Sequence, residues 1–449
     1  MELAGRTVVV VGLGRSGIAS AALCLSKGAR VIATDMALRE AARSEVLALE
    51  AQGVSLVFGG HDAVPWIEAD LVVVSPGVPS FSQIDAVQAS GREVIGELEL
   101  ASRFVTAPIA LVGGTNGKST VTTLLGMMLS FEGREAFSGG NLGTPLAEVI
   151  DRSFASLVLE ISSFQAERIP TLHAKAAVLL NITEDHLDRY PSFQAYADAK
   201  GNMFVGMGPG DTAVIPAADA GCAKQAARGR ARIVTFGPGG DVRLEAECLV
   251  DSTTGWRVPV AELRIKGAHN ELNACASMAM AAAMGATEAH ARQTLATFAG
   301  LAHRTVLVAE INGVRYFDDS KGTNVGASVA ALRGMTEPRV VLIAGGRDKQ
   351  GSYDPLVEVL RVKGRALVVL GEAADRLADA ARGAVETVRA GSMEQAVQQA
   401  AALAKSGDAV LLSPACSSFD MFKNYGERGD VFARTVMAMA ADPGPGGTP

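Results

Sequence analysis

The sequence predicts an α/β protein of three domains, each built on a largely parallel sheet. Apolar, β-branched runs alternate with helical stretches along the 449 residues, a pattern typical of parallel sheets that are covered on both faces. A chain of this length also exceeds what one hydrophobic core supports. Glycine-rich loops follow two of the strand-like runs. We expect domains of residues 1–106, 107–301 and 302–449.

Composition and charge narrow the class of protein. Apolar residues make up 48% of the chain and charged residues 20%, as in ordinary globular proteins. The net charge of −7 argues against a nucleic-acid partner, which needs a basic face. No apolar run approaches the roughly 20 residues of a membrane span, and we expect neither a membrane partner nor a secretion signal. The five scattered cysteines favour a reducing, cytoplasmic location.

The first domain begins with a strand at Thr7–Val11, a glycine loop and a helix at Ser16–Lys27. Further strands are predicted at Arg30–Asp35 and Leu71–Ser75. The loop Gly12–Gly17 fits the G-x-G-x-x-G pattern, in which a diphosphate lies against a helix N-terminus. Asp35 ends the second strand, where an acid can bind a ribose hydroxyl. A Rossmann-like domain is therefore predicted, while NAD, a UDP-linked substrate and a tight turn without a ligand all remain open.

The second domain begins with the most informative eight residues of the chain, Gly113–Thr120. They connect the apolar run Pro108–Val112 to a helical pattern at Val121–Leu129. This arrangement binds nucleoside triphosphates, because Lys118 can reach the outer phosphates and the Ser119 hydroxyl can contact Mg²⁺. The loop is one residue shorter than usual, since a valine stands where the pattern has its first glycine. We expect a central P-loop-type ATPase domain with a mostly parallel sheet.

Two polar segments follow later strands of this domain. Glu160 ends the apolar strand Leu157–Glu160, where an unpaired carboxylate would be costly and a cation is a natural partner; the alternative is that it caps the next helix. The strand Ala176–Leu180 precedes the polar stretch Asn181–Tyr190. Its His186 is either a metal ligand at the carboxyl edge of the sheet or a structural histidine.

A third α/β segment begins near Ala302 and predicts a second Rossmann-like domain. Its strands are expected at Val340–Ala344, Ala366–Leu370 and Ala409–Leu412. The tail Asp442–Pro449 is rich in proline and glycine, so we expect frayed ends there.

Seven segments together resemble the Mur ligase family. They are Gly113–Thr120, Leu159–Gln165, Asn181–Tyr190, Gly267–Ala274, His303–Arg304, Asp318–Asn324 and Leu412–Asp420. The resemblance covers essentially the whole chain in the family's order, and the family uses the shorter phosphate loop. Within the family, the Asp318–Asn324 run and the closing Phe422–Gly429 segment resemble the D-glutamate-adding members.

The resemblance implies an ATP-dependent ligase that builds a peptidoglycan precursor. In such an enzyme ATP phosphorylates the L-alanine carboxylate of UDP-N-acetylmuramoyl-L-alanine, and the amine of D-glutamate then attacks the acyl phosphate. It also implies ATP as cosubstrate and two Mg²⁺ ions as cofactors. We expect a monomer whose partners are these small molecules.

The resemblance further implies a set of site residues, in five groups. The catalytic residues are Lys118, Glu160, His186 and Lys200, and the metal ligands are Ser119, Glu160, His186 and a carbamylated Lys200. The ATP-binding residues are Gly113, Thr115, Asn116, Gly117, Lys118, Ser119, Thr120, Asn270, Asn273, Arg304 and Asp319. The UDP-substrate residues are Gly12, Leu13, Gly14, Arg15, Ser16, Asp35, Gly77, Asn141 and His186. The D-glutamate residues are Lys321, Thr323, Lys349, Ser418, Phe419 and Tyr425.

Several alternatives stay open at this point. A sister Mur ligase or a folylpolyglutamate synthase-like ligase would share the chemistry and take another amino acid. A nicotinamide-dependent dehydrogenase would use only the first glycine loop, and a non-catalytic scaffold would bind nucleotide without turnover. Without the resemblance, Lys200 is a lysine on a helix and Lys349 a solvated surface lysine.

Overall fold

In the computed structural model, residues 1–441 are described and form three sheets, which confirms the mixed α/β class with mostly parallel strands. The tail Asp442–Pro449, for which frayed ends were expected, lies outside the described residues. None of the helices within residues 1–441 combines the length and apolar character needed to cross a membrane.

The chain folds into two compact units. The first unit comprises Met1–Ile182, Gln194–Arg264 and Asn270–Phe298. The second comprises Thr183–Phe193, Ile265–His269 and the described chain from Ala299 onward. Both short segments of the second unit fall within residues 107–301, which the sequence assigns to one domain. Each unit is described by itself below.

The first sheet has five parallel strands in the order β3-β2-β1-β4-β5. The strands are β1 Thr7–Val11, β2 Arg30–Asp35, β3 Ser55–Phe58, β4 Leu71–Val74 and β5 Glu93–Ile95, and the helices are α1 Arg15–Ser26, α2 Ser44–Ala51, α3 Ser82–Ala89 and α4 Glu97–Ser102. The valines of β1 are buried on alternate faces in two separate apolar cores, which explains why this strand reads as a continuous apolar run. The strand order reverses between β1 and β4, so the loops that follow them open a crevice at the carboxyl edge. The prediction of a Rossmann-like first domain is confirmed.

The second sheet has nine strands in the order β14-β13-β12-β11-β10-β9-β6-β8-β7. The strands are β6 Ile109–Gly113, β7 Ala136–Gly140, β8 Ser156–Glu160, β9 Ala176–Leu179, β10 Thr212–Pro216, β11 Arg232–Phe236, β12 Val242–Glu245, β13 Cys248–Asp251 and β14 Arg257–Pro259. The helices along this part of the chain are α5 Lys118–Leu129, α6 Ser163–Ala166, α7 Phe193–Val205, α8 Ala220–Ala226, α9 Ala268–Ala283 and α10 Glu288–Thr297. Strands β6 to β12 pair in parallel, and β6 lies between β8 and β9. The carboxyl ends of these three neighbouring strands therefore meet at one edge.

An antiparallel extension, β12-β13-β14, continues this sheet, and the sequence did not predict it. The turn between β12 and β13 consists of Ala246 and Glu247, both at positive φ (+47° and +58°). Two-residue hairpin turns of this kind usually carry asparagine or glycine. Because neither residue is present, the hairpin has no clear signal in the sequence.

The third sheet has six strands in the order β15-β16-β20-β17-β18-β19, with only β15 antiparallel. The strands are β15 Val306–Ile311, β16 Val314–Asp318, β17 Val340–Gly345, β18 Gly364–Leu370, β19 Glu386–Arg389 and β20 Ala409–Leu412, and the helices are α11 Val325–Gly334, α12 Asp354–Lys363, α13 Ala374–Ala380, α14 Met393–Leu403 and α15 Tyr425–Ala441. Alternate residues of β17 belong to two apolar cores on opposite faces. The three strands predicted for this region are present.

Candidate active site

The first glycine loop, Gly12–Gly17, joins β1 to α1 and depends on a close approach of backbone atoms. A Cβ atom on Gly17 would lie 1.8 Å from the carbonyl oxygen of Gly12, so no larger residue fits there without moving the loop. Gly12 itself has a φ of +85°, which other residues adopt only with strain. The loop thus keeps a tight path into the N-terminus of α1, and helix N-termini can accept an anion such as a diphosphate.

Asp35 braces this loop from the end of β2. Its Oδ2 accepts a hydrogen bond from the backbone N–H of Leu13 (2.6 Å), and its Oδ1 accepts one from the N–H of Ala37 (2.8 Å). Both carboxylate oxygens therefore have backbone donors. The other predicted residues of this edge are exposed Gly14 and Arg15, half-buried Ser16, and Gly77 in the loop after β4.

The second glycine loop, Gly113–Thr120, joins β6 to α5 and closes around its own lysine. The ammonium group of Lys118 donates to the carbonyl oxygens of Gly114 (2.9 Å) and Thr115 (2.8 Å). Gly117 has a φ of +86°, and a Cβ there would lie 2.6 Å from Asn273 Oδ1. The loop therefore requires glycine at this position, and α9, which carries the predicted residues Asn270 and Asn273, lies directly against it.

Asn181, the second residue after β9, holds this loop from the neighbouring strand. Its Oδ1 accepts from the backbone N–H groups of Thr115 (3.2 Å) and Asn116 (2.9 Å). Its amide donates back to the carbonyl oxygen of Asn116 (3.1 Å). Sequence reasoning placed Asn181 in a polar segment without assigning it a role; its position just past a buried strand was the available signal.

Lys200, on α7, lies beneath the same loop. It is 4% exposed, and its ammonium group donates to Gly114 O (2.8 Å), the carbonyl that Lys118 also uses. The nitrogen lies 4.6 Å from the ring centroid of Tyr196, whose hydroxyl is 3.0 Å from Thr115 Oγ1. Two lysine nitrogens therefore converge on one carbonyl oxygen of the glycine loop.

Glu160, the last residue of β8, joins the second glycine loop to the loop after β7. Its carboxylate is 3% exposed and accepts hydrogen bonds from Ser119 Oγ at Oε2 (2.7 Å) and from Asn141 Nδ2 at Oε1 (2.6 Å). Two neutral donors therefore solvate this buried acid. Of the predicted residues, Ser119, Asn141 and Glu160 are brought into direct contact.

The oxygen atoms of Glu160 and of its neighbours are suitable ligands for a hard divalent cation. Within residues 1–441 there is no cluster of three or more His, Cys, Asp and Glu side chains arranged for a metal. Mg²⁺, however, commonly takes one or two protein oxygens and completes its shell with water and substrate phosphates. The Ser119 hydroxyl and the Glu160 carboxylate supply such a pair, and the nearby Thr120 Oγ1 is buried without a hydrogen bond among the described residues.

In the second unit, Asp185 accepts hydrogen bonds from two polar side chains and one backbone N–H. It is 9% exposed and accepts from Lys349 Nζ at 2.8 Å and from Asn324 Nδ2 at 3.2 Å. His186, the neighbouring residue, has a φ of +55° and donates its backbone N–H to Asp185 Oδ1. The predicted residue Lys349 is thus part of a partly buried ion pair. Asp185 and Asn324 were not among the predicted site residues.

Asp319 and Arg304 occupy the loop region beside β16. Asp319 accepts from the backbone N–H and hydroxyl of Thr305 and from Ser413 Oγ at 2.7 Å. Burial raises the pKa of the Asp319 carboxyl to about 6. Arg304 has its Nε buried without a hydrogen bond among the described residues, so this donor is available for an anion.

Arg428, near the start of α15, ties together the two loops that carry the predicted D-glutamate residues. Its guanidinium is fully buried and donates to Ser320 Oγ (3.0 Å), Ser320 O (2.9 Å) and the carbonyls of Cys416 and Ser417. Lys321 Nζ donates to the hydroxyl of Tyr425 (3.0 Å). The remaining predicted residues of this set are half-buried Thr323, buried Ser418 and exposed Phe419.

Arg428 was missing from the predicted site. Its partners lie up to 108 residues away in the chain, and an arginine within a helical pattern carries no local signal of burial.

Three family models match successive parts of the chain. The model described as the Mur ligase MurD-like N-terminal domain matches residues 6–96, the Mur ligase middle domain matches 112–281, and the Mur ligase glutamate ligase domain matches 303–416. A curated relative from Geotalea daltonii, named UDP-N-acetylmuramoylalanine–D-glutamate ligase, is 42% identical over 98% of this chain and 99% of its own. The chain belongs to the Mur ligase family. A Geobacter metallireducens relative with the same name is 43% identical over 98% of this chain and 99% of its own.

A solved Mur ligase structure supports the fold. The MurF ligase from Thermotoga maritima in complex with ADP is 19% identical to this chain, with a TM-score of 0.59 over 98% of this chain and 97% of that one. At this level of identity the likeness concerns the fold alone. The order of three α/β regions is the common feature.

Proposed function

We propose that this Mur ligase joins D-glutamate to UDP-N-acetylmuramoyl-L-alanine, with ATP converted to ADP and phosphate. The observation that carries the proposal is the hydrogen bond from Ser119 to Glu160, next to Lys118 in the second glycine loop, in a chain that matches curated D-glutamate ligases over nearly its full length. A carboxylate is a poor electrophile, and transfer of a phosphoryl group to it creates a leaving group. That transfer forces two anions together, which is where a lysine at the phosphates acts.

The proposed reaction balances in two steps. A carboxylate oxygen of the L-alanine unit attacks the γ-phosphorus, and the bond to the β-phosphate oxygen breaks, giving an acyl phosphate and ADP. The neutral amine of D-glutamate then attacks the acyl carbon, the tetrahedral intermediate expels phosphate, and the nitrogen loses a proton. Lys118 would neutralise charge on the outer phosphates throughout the first step.

Ser119 and Glu160 are proposed to hold Mg²⁺, with His186 and a carbamylated Lys200 as further ligands. When bound, Mg²⁺ would lower the repulsion between nucleotide phosphates and substrate carboxylate. Asn141 donates to Glu160 and is proposed to contact the UDP-sugar as well. Carbamylation of Lys200 would replace an ammonium group by an anionic oxygen donor; ¹³C-bicarbonate NMR of the protein tests it, because a carbamate carbon should appear in wild type and vanish in Lys200→Gln.

The binding regions follow the three sheets in this proposal. Residues 1–106 would bind the UDP part through the loop Gly12–Gly17, and residues 107–301 would bind ATP. Residues 302–449 would bind D-glutamate, since lysines and hydroxyls suit an amino acid with two carboxylates. We also propose that the protein is a monomer and lies in the cytoplasm. Size-exclusion chromatography of the purified chain tests the oligomeric state.

Amino-acid-dependent phosphate release tests the proposed function. Purified protein is given Mg²⁺, ATP and UDP-N-acetylmuramoyl-L-alanine, and each of D-glutamate, L-glutamate, L-lysine and meso-diaminopimelate is added in turn. We expect phosphate release only with D-glutamate. Release with another amino acid instead would identify a sister ligase, and NADH binding without release would favour a dehydrogenase.

A further inference from the structure

The loop after β7 carries Asn141 and is packed tightly against Glu160. We call residues 140–148 the 140–148 loop. Gly140 has a φ of +84°, and a Cβ there would lie 2.5 Å from the carbonyl oxygen of Glu160. The backbone N–H of Asn141 donates to that same carbonyl (2.9 Å), while its side chain donates to the carboxylate. A shift of this loop would therefore move Asn141, one of the two side chains that donate to the Glu160 carboxylate.

Arg15, in the first glycine loop, donates hydrogen bonds to the middle and to the end of the 140–148 loop. Its Nε and Nη2 donate to the two carboxylate oxygens of Glu148, each at 2.9 Å. Nη1 donates to Gly143 O (2.9 Å), and Nη2 also lies 3.4 Å from Thr144 Oγ1. Bidentate arginine–carboxylate pairs fix orientation as well as distance. Four of the five guanidinium N–H groups are used within the 140–148 loop.

A second contact holds the same segment from the same side. Glu97, at the start of α4, is 2% exposed, and its Oε1 accepts from the backbone N–H of Ala147 (2.7 Å). Residues Leu146–Glu148 form a short 3-10 turn, so Arg15 and Glu97 both contact the same turn. The first sheet therefore holds the 140–148 loop at two neighbouring points.

We propose that Arg15 is a positioning residue that clamps the 140–148 loop and so couples the first glycine loop to Glu160 and the second. The inference rests on the proposed function for its substrates, but the coupling itself concerns only the two nucleotide loops. A ligand that orders Gly12–Gly17 would, through Arg15, favour the loop position in which Asn141 and Ser119 both donate to Glu160. By linkage, nucleotide at the second loop would favour ligand at the first to the same extent.

A direct role of Arg15 as a diphosphate ligand predicts something different. With most of its donors used by Gly143, Thr144 and Glu148, Arg15 would have to leave the clamp to bind phosphate. In that case removal of the Glu148 carboxylate would free Arg15 and tighten UDP binding. In the clamp mechanism, removal of Glu148 has the same effect as removal of Arg15.

A double-mutant cycle on the full chain separates these roles. The variants are Arg15→Ala, Glu148→Ala, the double variant and the conservative Arg15→Lys and Glu148→Gln. The matched control is Arg30→Ala, which breaks another exposed ion pair of the first sheet, with Glu68. We expect kcat of D-glutamate-dependent phosphate release to fall about tenfold in either alanine variant, with no further loss in the double variant. KM for D-glutamate should not change, and Arg30→Ala should match wild type.

A binding readout keeps the test independent of the amino acid used. Calorimetry measures the Kd of a non-hydrolysable ATP analogue with Mg²⁺, with and without saturating UDP. In wild type we expect UDP to change that Kd by about fivefold, and in Arg15→Ala and Glu148→Ala we expect no change, while thermal unfolding confirms that both variants are folded. Retained coupling in Arg15→Ala, or tighter UDP binding in Glu148→Ala, would overturn the clamp. If wild type releases no phosphate but shows the coupling, the proposed function fails and the clamp stands.

Discussion

The two glycine loops of the first unit share a local architecture and differ in their acids. Each follows a buried strand and opens a 12-residue helix, α1 or α5. Beside the first loop, both carboxylate oxygens of Asp35 accept hydrogen bonds from backbone N–H groups. Beside the second loop, Glu160 accepts from two side chains, those of Ser119 and Asn141.

This difference separates a structural acid from one that can act as a ligand. Backbone donors cannot turn away without unfolding the loop, so Asp35 is committed to bracing it. Side-chain donors can rotate, so the Glu160 oxygens can exchange a hydroxyl or an amide for a cation. The first loop also lacks a lysine, and the second carries Lys118. We infer that the first loop binds the UDP part of the substrate and that the second loop takes part in phosphoryl transfer.

Removal of the lysine from the second loop should have the greatest effect. In Lys118→Ala we expect kcat to fall by about 10³-fold or more, because the phosphoryl transfer loses its positive charge. The control is Lys224→Ala, an exposed lysine of α8 in the same unit that donates to Gln194. Phosphate release measures both. Wild-type turnover in Lys118→Ala would remove the second loop from the chemistry.

Neutralisation of Glu160 should lower kcat much more than the corresponding change at Asp35. In Glu160→Gln we expect kcat to fall by about 10²-fold, with a higher Mg²⁺ concentration needed for half-maximal rate, because a neutral amide is a poor ligand for a hard cation. A magnesium titration of phosphate release measures this. An unchanged Mg²⁺ requirement would mean that Glu160 is only a structural acceptor.

The matching change beside the first loop should act on stability and on UDP binding. Asp35→Asn places an amide N–H₂ opposite a backbone N–H, so we expect the free energy of unfolding to fall by about 1–3 kcal/mol. UDP affinity should weaken while kcat at saturating substrate stays within about twofold. Denaturant unfolding and calorimetry with UDP measure these. A large loss of kcat with intact UDP binding would contradict a bracing role.

Glu97 is a third acid, which accepts a hydrogen bond from the backbone N–H of Ala147, and it predicts an effect on stability that depends on pH. Burial raises the pKa of its carboxyl from the ordinary 4.5 to about 7. Because the unfolded chain releases this proton at lower pH, the folded protein loses stability as the pH rises from 4.5 to 7. We expect Glu97→Gln to be more stable than wild type by about 1–3 kcal/mol at pH 8, and by less at pH 5.5. Thermal unfolding across this pH range checks it, and a difference independent of pH would refute it.

Local patterns in the sequence predicted the parts of the fold that local physics determines. The continuous apolar runs of β1, β6 and β17 indicated buried parallel strands, and the glycines of both loops marked strand-to-helix turns. The antiparallel extension at β12–β14 was not predicted, because its turn residues Ala246 and Glu247 are not of the types that usually mark such turns.

The candidate site divides in the same way. The contacts of Lys118 with Gly114 and Thr115 follow from neighbours in the chain. The contacts of Asn181 with Asn116, of Asp185 with Asn324 and Lys349, and of Arg428 with Ser320 join residues 65 to 164 positions apart, and no periodicity encodes such distances. The assignment of Thr183–Phe193 to the second unit has the same origin, since the chain leaves one unit and returns within a dozen residues.

Transfer of oxygen between substrate and phosphate bears most closely on the proposed chemistry. UDP-N-acetylmuramoyl-L-alanine is prepared with ¹⁸O in its alanine carboxylate, and the phosphate released in the presence of ATP and D-glutamate is analysed by mass spectrometry. Attack of the carboxylate on the γ-phosphorus predicts one ¹⁸O atom in each phosphate from the fully labelled substrate, and no such phosphate from Lys118→Ala. Phosphate that contains no ¹⁸O, with both labelled oxygens still in the substrate, would contradict it.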